Sequence, residues 1–221
     1  MADSVQICLV QESFLVGDIH GNCLKIIKLV DQARKAGADI VVFPELAVTG
    51  YPPEDLLLRD SFITQNAQAV QDIVQAAKGI DLVLGAPRSE SGVLYNSAIW
   101  ARDGEILACY DKYTLPNYAV FDEKRYFKAG SQPVVVDVKG LRLGLSICED
   151  VWIPGPAQEA KEKGADAVLV LNASPYHSGK FKERVDNLKL RNNETGLPFF
   201  YVNLMGGQDE LVFDGESLVI D

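Results

Sequence analysis

One passage occurs twice in this chain. Ala33-Arg-Lys-Ala-Gly-Ala-Asp39-Ile-Val-Val-Phe and Ala160-Lys-Glu-Lys-Gly-Ala-Asp166-Ala-Val-Leu-Val each run from a helix end through Gly-Ala-Asp into a buried strand. Glycine is the residue that most readily takes the left-handed conformation needed to close a helix, and an aliphatic run directly after it reads as a core strand. The repeat predicts an α/β fold with two similar halves. Glycine C-caps before strands are common in α/β proteins, so the fold class stands whether or not the halves are related.

The remaining elements follow the same rhythm. Val5–Val10 reads as a first strand, Ile19–Arg34 as an amphipathic helix capped by Asp18 and ended by Gly37, and Asp39–Phe43 as the next strand. A proline-rich loop, Pro44–Pro53, precedes a helix around Phe62–Lys78 and a strand at Asp81–Ala86. Tyr95–Ala101 and Glu105–Tyr110 flank Asp103-Gly104, and Val134–Val138 and Leu141–Ile147 flank Lys139-Gly140; both pairs read as tight antiparallel hairpins, so the sheets are mixed. A long polar and aromatic loop, Asp111–Gly130, separates them. Lys180–Asn193 reads as a helix, Phe199–Leu204 as a strand and Glu210–Ile220 as a hairpin turning at Asp214-Gly215. No linker interrupts the sequence, and residues 1–221 are expected to form one domain. The last residues form a strand with no polar tail, from which we expect a C-terminally incomplete piece of a longer polypeptide.

Charge and cysteine usage narrow the function classes. With 21 basic against 31 acidic residues and a formal charge of -10, attraction to a phosphate backbone is disfavoured and no nucleic-acid partner is expected. Cys8, Cys23, Cys109 and Cys148 are widely spaced with no C-x-x-C pair, so neither a metal site nor a disulfide framework is expected, and a reducing, cytoplasmic location fits best. The first residues lack a basic region and a long apolar run, so no signal peptide or membrane span is expected.

Three polar residues sit where apolar strands end. Cys148 closes Leu141-Arg-Leu-Gly-Leu-Ser-Ile, Glu45 follows Ile40-Val-Val-Phe-Pro, and Lys112 follows Ile106-Leu-Ala-Cys-Tyr-Asp. Carboxyl ends of strands are where α/β sheets gather ligands. An unassisted thiol is only a few per cent thiolate at neutral pH, so a nucleophilic cysteine needs a base. The two histidines, His20 in the first helix and His177 in a loop, leave a papain-like pair to His177 alone. A carboxylate in a dry site, Glu45, serves better as base, and Lys112 with the N–H after Cys148 serves an oxyanion.

These residues resemble the motifs of the nitrilase superfamily of carbon-nitrogen hydrolases. Phe43-Pro44-Glu45-Leu46, Tyr110-Asp111-Lys112-Tyr113 and Ser146-Ile147-Cys148-Glu149-Asp150-Val151-Trp152 match its three motifs in order. The resemblance covers essentially the whole chain and implies a four-layer αββα sandwich with mixed sheets and a Glu45-Lys112-Cys148 triad. Finer runs resemble one branch, the glutaminase domains of glutamine-dependent NAD synthetases: Thr49-Gly50-Tyr51-Pro52, Lys112-Tyr-Thr-Leu-Pro-Asn-Tyr118, Val120-Phe-Asp-Glu123, Asn172-Ala-Ser174-Pro-Tyr-His and Asn203-Leu-Met-Gly-Gly-Gln-Asp. That branch implies attack of Cys148 on the side-chain amide of L-glutamine, a glutamyl thioester, and release of ammonia for amidation of deamido-NAD. It also implies substrate contacts from Tyr51, Tyr118, Glu123, Glu149 and Ser174, with Glu123 as a possible second catalytic carboxylate.

The branch pairs this domain with a C-terminal synthetase domain that carries a Ser-Gly-Gly-x-Asp-Ser loop. No such run occurs here. The resemblance therefore places ATP and magnesium on a synthetase domain outside this chain, with no cofactor on the chain itself, and implies a homo-oligomer. Two alternatives stand beside it: a free-standing amidase acting on another small amide, and a non-catalytic assembly platform.

Overall fold

In the computed structural model, which describes residues 4–221, both Gly-Ala-Asp passages build the same local device. Gly37 and Gly164 lie at φ +83° and +87°, just past their helices. The aspartate that follows accepts a backbone N–H from the neighbouring strand segment, Asp39 from Gln6 at 2.9 Å and Asp166 from Arg142 at 2.8 Å. Its own N–H donates back to the same residue's carbonyl, at 2.9 Å and 2.7 Å. Each strand is thus registered against its neighbour at its first residues, where a one-residue slip would turn the core face to water.

The first half runs β1 (Ile7–Leu9), α1 (Ile19–Lys35), β2 (Ile40–Val42), α2 (Asp60–Ala76), β3 (Asp81–Glu90), β4 (Val93–Arg102) and β5 (Glu105–Asp111). Its sheet has the order β1-β2-β3-β4-β5, parallel through β3 and antiparallel beyond. The second half begins with the hairpin of β6 (Val135–Val138) and β7 (Leu141–Ile147). It continues through α3 (Pro156–Glu162), β8 (Ala167–Asn172), α4 (Lys180–Thr195) and β9 (Phe199–Asn203). A two-stranded ribbon, β10 (Met205–Gln208) and β11 (Leu211–Asp214), precedes β12 (Leu218–Ile220), and the second sheet has the order β12-β9-β8-β7-β6. A parallel β-α-β-α-β unit recurs in each half, which accounts for the repeated sequence.

Alternation along the strands assigns the layers. Ile40, Val42, Val83 and Trp100 of the first sheet meet Leu143, Leu145, Leu169 and Leu171 of the second in one shared core. Their strand neighbours face the other way: Val41, Leu82 and Leu84 pack under Ile26 and Val30 of α1 and Ile73 and Val74 of α2. Val168 and Val170 pack under Ala160 of α3 and Leu188 of α4. Strand residues of opposite parity thus bury both faces of each sheet, and the result is the expected αββα sandwich. No helix among the described residues is long and apolar enough to cross a membrane.

Two expected details differ. The hairpin expected over Glu210–Ile220 does not form. Leu211–Asp214 pairs with Met205–Gln208 and Leu218–Ile220 pairs with β9, because the backbone carbonyl of Leu204 takes the Gly215 N–H at 3.1 Å and sends the chain back to the second sheet. An unanticipated hairpin joins β3 and β4 through Ser91-Gly92, at φ +49° and +77°, where the turn carries none of the Asn or Asp that usually marks it. Asp103-Gly104 and Lys139-Gly140 turn as expected, both residues of each at positive φ.

Gly85, in the middle of β3, is where packing reaches the polar strand ends. A Cβ there would lie 2.2 Å from Pro44 O and 2.6 Å from Leu46 N, so only glycine lets the Glu45 segment close onto the sheet. Gly85→Ala is expected to destabilise the fold by about 1–3 kcal/mol, as overpacking does, read as a lower urea midpoint at unchanged slope. An unchanged midpoint would contradict this contact.

Candidate active site

The strand ends of both sheets converge on a buried carboxylate. Glu45, three residues past β2, is 1 % exposed. Its Oε1 accepts from Lys112 Nζ and from Asn96 Nδ2, each at 2.7 Å, and its Oε2 accepts from the backbone N–H of Ala173 at 3.0 Å. The donors come from β4, from the residue after β5 and from the residue after β8, so the two sheets meet at this side chain. A carboxylate has about four acceptor positions; three are occupied, and one on Oε2 is left for an incoming proton.

Lys112 is enclosed with it. Its side chain is 0 % exposed and it also donates to Glu123 Oε1 at 2.8 Å, while Tyr51 OH donates to the same oxygen at 3.1 Å. Burial opposes the ammonium charge, but Glu123, Glu45 and Cys148 outweigh it and hold the Lys112 pKa well above its usual value. One cation faces two carboxylates, and they are not equivalent. Glu123 Oε2 is buried with no partner. Burial first, and the charge of Glu45 as well, push the Glu123 carboxyl up to about 7 against the pull of Lys112. Glu123 therefore exchanges its proton near neutrality.

Cys148 begins a 3-10 turn, Cys148–Val151, directly after β7, and its backbone sits at φ +45°, a left-handed conformation that costs a non-glycine residue on the order of 1–3 kcal/mol. It lies close enough to Glu45, Lys112, Glu123 and Glu149 for all four to act on its charge. Burial, then Glu45, push its thiol well above the ordinary range. The resting group is a thiol, and its nucleophilic form must be made by proton transfer during attack rather than stored as thiolate.

In front of Cys148 opens a crevice of about 520 Å³, also lined by Glu149, Trp152, Ser174, His177 and Lys180. Tyr118 lines it too and donates to Glu149 at 3.0 Å. Lys180 lies over the Trp152 ring at 4.1 Å from its centroid. Ser174 is held by Arg184, whose Nε donates to its Oγ at 3.2 Å. The structure thus gathers Tyr118, Glu149 and Ser174 at the crevice with Cys148, and places Tyr51 and Glu123 behind Lys112, in the wall of a separate cavity of about 220 Å³. His177 reaches the crevice with Nε2 3.4 Å from Glu183, and nothing pairs it with Cys148.

Six contributors went unread in the sequence. Asn96 and Ser97 are the polar interruption in an otherwise apolar β4, a signal for a side chain turned toward a buried polar partner. Arg184 and Arg191 share a buried face of α4 with Leu188 and Thr195, an i, i+4, i+7, i+11 stripe whose polarity marks an internal tether. Lys180, the first residue of α4, carries no sequence signal that sets it apart from a surface lysine. Asp150 stood inside a quoted motif without a role. Among the described residues no group of three or more His, Cys, Asp or Glu is placed to hold a metal.

The carbon-nitrogen hydrolase profile matches residues 4–221. Among curated relatives, the glutamine-dependent NAD(+) synthetase of Xylella fastidiosa (strain Temecula1) is 48% identical over 225 residues, a match covering 100% of this chain and 41% of the relative. The chain therefore spans about two fifths of the length of that relative. Among solved structures, the glutamine-dependent NAD+ synthetase from Acinetobacter baumannii in complex with ADP superposes with a TM-score of 0.95 at 42% identity, covering 98% of this chain and 41% of that one. An amidase from Nesterenkonia sp. superposes with a TM-score of 0.88 at 30% identity, covering 100% of this chain and 83% of that one.

The Glu123 assignment is open to measurement. A carboxyl raised from 4.5 to about 7 on folding gives stability that is full below pH 4.5 and is lost as pH rises through 7. Glu123→Gln removes that loss, so the variant's urea midpoint is expected to gain on the wild type's between pH 5 and pH 8. A difference that stays constant across this window contradicts the raised pKa.

Proposed function

The chain belongs to the carbon-nitrogen hydrolase family, and on that premise we propose that it hydrolyses the side-chain amide of L-glutamine through a thioester on Cys148. The observation that carries this reading is the dry Glu45–Lys112 pair beside Cys148, opening on a crevice that offers a carboxylate, Glu149, and an ammonium, Lys180. Opposite charges at one mouth suit a substrate that is a zwitterion at one end and a neutral amide at the other.

The chemistry follows from the donor pattern. As Cys148 Sγ attacks the amide carbon, its proton passes to Glu45 Oε2. Negative charge develops on the carbonyl oxygen, and Lys112 Nζ with the N–H following Cys148 stabilises it in a medium where such donors act strongly. Collapse of the tetrahedral adduct breaks the C–N bond, the Glu45 proton goes to the leaving nitrogen, and ammonia departs. Water then attacks the thioester, giving up a proton to Glu45, and the thiol is restored as glutamate leaves. Glu123, which keeps its proton until the pH approaches about 7, limits the negative charge of the buried cluster beside Lys112.

The length and names of the relatives support a further step. Ammonia would be used by a C-terminal synthetase domain outside residues 1–221 to amidate deamido-NAD, with ATP and magnesium acting there and not on this chain. A second reading, an amidase working without such a partner, is favoured by the Nesterenkonia sp. amidase, most of whose length this chain matches. The Glu149 and Lys180 charges weigh against it, because a simple aliphatic amide has no use for either.

Ammonia release from glutamine, but not from asparagine or aliphatic amides, is expected. Cys148→Ala should lower it by at least about 10³-fold. Glu149→Ala or Lys180→Ala should raise KM by roughly tenfold or more, the loss of about 1.4 kcal/mol of ground-state binding. A diazo-oxo-norleucine adduct should form once per chain, on Cys148; mass-spectrometric location on Cys8, Cys23 or Cys109 would overturn the assignment, and hydrolysis of aliphatic amides in preference to glutamine would favour the second reading.

A further inference from the structure

We propose that Asp150 is a positioning residue for the cysteine chemistry proposed above, on which this inference rests: its carboxylate ties the turn that presents Cys148 to the segment that presents Lys112. Asp150 is fully buried. Its Oδ2 accepts from Ile147 N at 3.2 Å and from Tyr110 OH at 2.8 Å, and its Oδ1 accepts from Tyr113 N at 3.1 Å and Thr114 N at 2.7 Å. All of the roughly four acceptor positions of a carboxylate are taken, which leaves it nothing to offer a substrate. Its action is on where other groups sit.

The donors lie at informative places. Ile147 immediately precedes Cys148, and its N–H fixes the strand end from which the backbone turns into the left-handed conformation at φ +45°. Tyr113 and Thr114 immediately follow Lys112, and Tyr110 is two residues before it in β5. Among the hydrogen bonds of the described residues, those to Asp150 are the ones that join the Cys148–Val151 turn to segment 110–114. Cys148 belongs to one sheet and Lys112 to the other, and ladder hydrogen bonds do not fix the distance between sheets. A carboxylate spanning the gap does, and Asp150 is the one that spans it between the Cys148 turn and segment 110–114.

A carboxylate is required because four donors converge and no acceptor does. An asparagine of the same size keeps one oxygen for Tyr113 and Thr114 but turns an NH2 toward the Ile147 N–H, donor against donor, and releases the Cys148 side of the tie. Displacement of a nucleophile by about 1 Å can cost about 10²-fold in rate. Glu149 and Lys180 at the crevice are not bonded to Asp150, so substrate affinity should be nearly untouched.

The test uses the chain as it stands, with Asp150→Asn and Tyr110→Phe beside the wild type. Active sites are counted by complete diazo-oxo-norleucine labelling, so that misfolded molecules drop out of the rate. For Asp150→Asn the expected result is a kcat per labelled site lower by about 30-fold with KM within about threefold, the signature of a displaced nucleophile and not of a weakened fold. Tyr110→Phe, which deletes one bond of the four, should fall between this variant and the wild type.

A per-site kcat within about threefold of the wild type for Asp150→Asn, or a KM that rises as far as kcat falls, would overturn the proposal. Should Asp150→Asn show no cooperative unfolding, Tyr110→Phe decides: a reduced per-site kcat supports the tie and an unchanged one overturns it. Failure of the glutamine reading is seen separately, as a wild type that releases no ammonia from glutamine. The tie is then read without substrate, from the iodoacetamide alkylation rate of Cys148, which Asp150→Asn should lower; an equal or higher rate in the variant would overturn it.

Discussion

Everything at this site depends on one ammonium buried between two carboxylates. Lys112 has no contact with water, and its charge is tolerable only because Glu45 and Glu123 both receive its N–H groups. Removing the ammonium would leave two acids enclosed without a counter-charge, a situation that costs about 3–5 kcal/mol even for a simple pair. Removing either acid would take away one of the two acceptors on which the enclosed ammonium relies. The cluster is thus expensive to build and worth keeping only in a dry interior, where a fixed positive charge acts on a developing oxyanion far more strongly than it would in water.

The four-layer architecture supplies that interior. A single α/β sheet brings its strand ends to a crevice open to solvent, whereas two sheets packed face to face bring two sets of ends against one another. Here β2 and β5 contribute Glu45 and Lys112, and β7 and β8 contribute Cys148 and the Ala173 N–H. The shared core of Ile40, Val42, Trp100, Leu145 and Leu169 continues to the foot of the site. Close approach at Gly85 keeps the Glu45 segment pressed to its sheet. Packing and catalytic geometry are in this sense the same problem, solved by the same contacts.

Much of this was legible in the residues, for identifiable reasons. The repeated Gly-Ala-Asp passages gave the β-α-β rhythm because a C-cap glycine and a strand-pinning aspartate leave a local signature. The two hairpins at Asp103-Gly104 and Lys139-Gly140 were readable because their turns demand positive φ. Ser91-Gly92 carried a weaker turn signal, and the Asp214-Gly215 bend was misleading because a turn dipeptide does not say which strand the chain joins next. At the site, Glu45, Lys112 and Cys148 were visible as polar residues ending apolar runs. Asn96, Asp150 and Arg184 were not, since their importance lies in long-range hydrogen bonds, and no local pattern encodes which distant donor a buried carboxylate will accept from or which distant acceptor a buried amide or guanidinium will donate to.

The site also separates two tasks in space. Behind Cys148 the groups are buried, mutually hydrogen-bonded and held by backbone from both sheets; in front, Glu149, Lys180 and Tyr118 stand on the crevice wall with partial access to water. In the proposed reaction the rear groups would act on an amide bond as such and take no account of what carries it. Selection among amides therefore falls to the front wall, where changing a charge alters which molecule is held without disturbing the Lys112 cluster. Such a division accounts in physical terms for one sandwich being shared by an amidase and by part of a longer glutamine-dependent NAD+ synthetase. The crevice loops can vary with the substrate, while the rear wall is constrained, because each of its groups is a hydrogen-bond partner that another buried charge cannot do without.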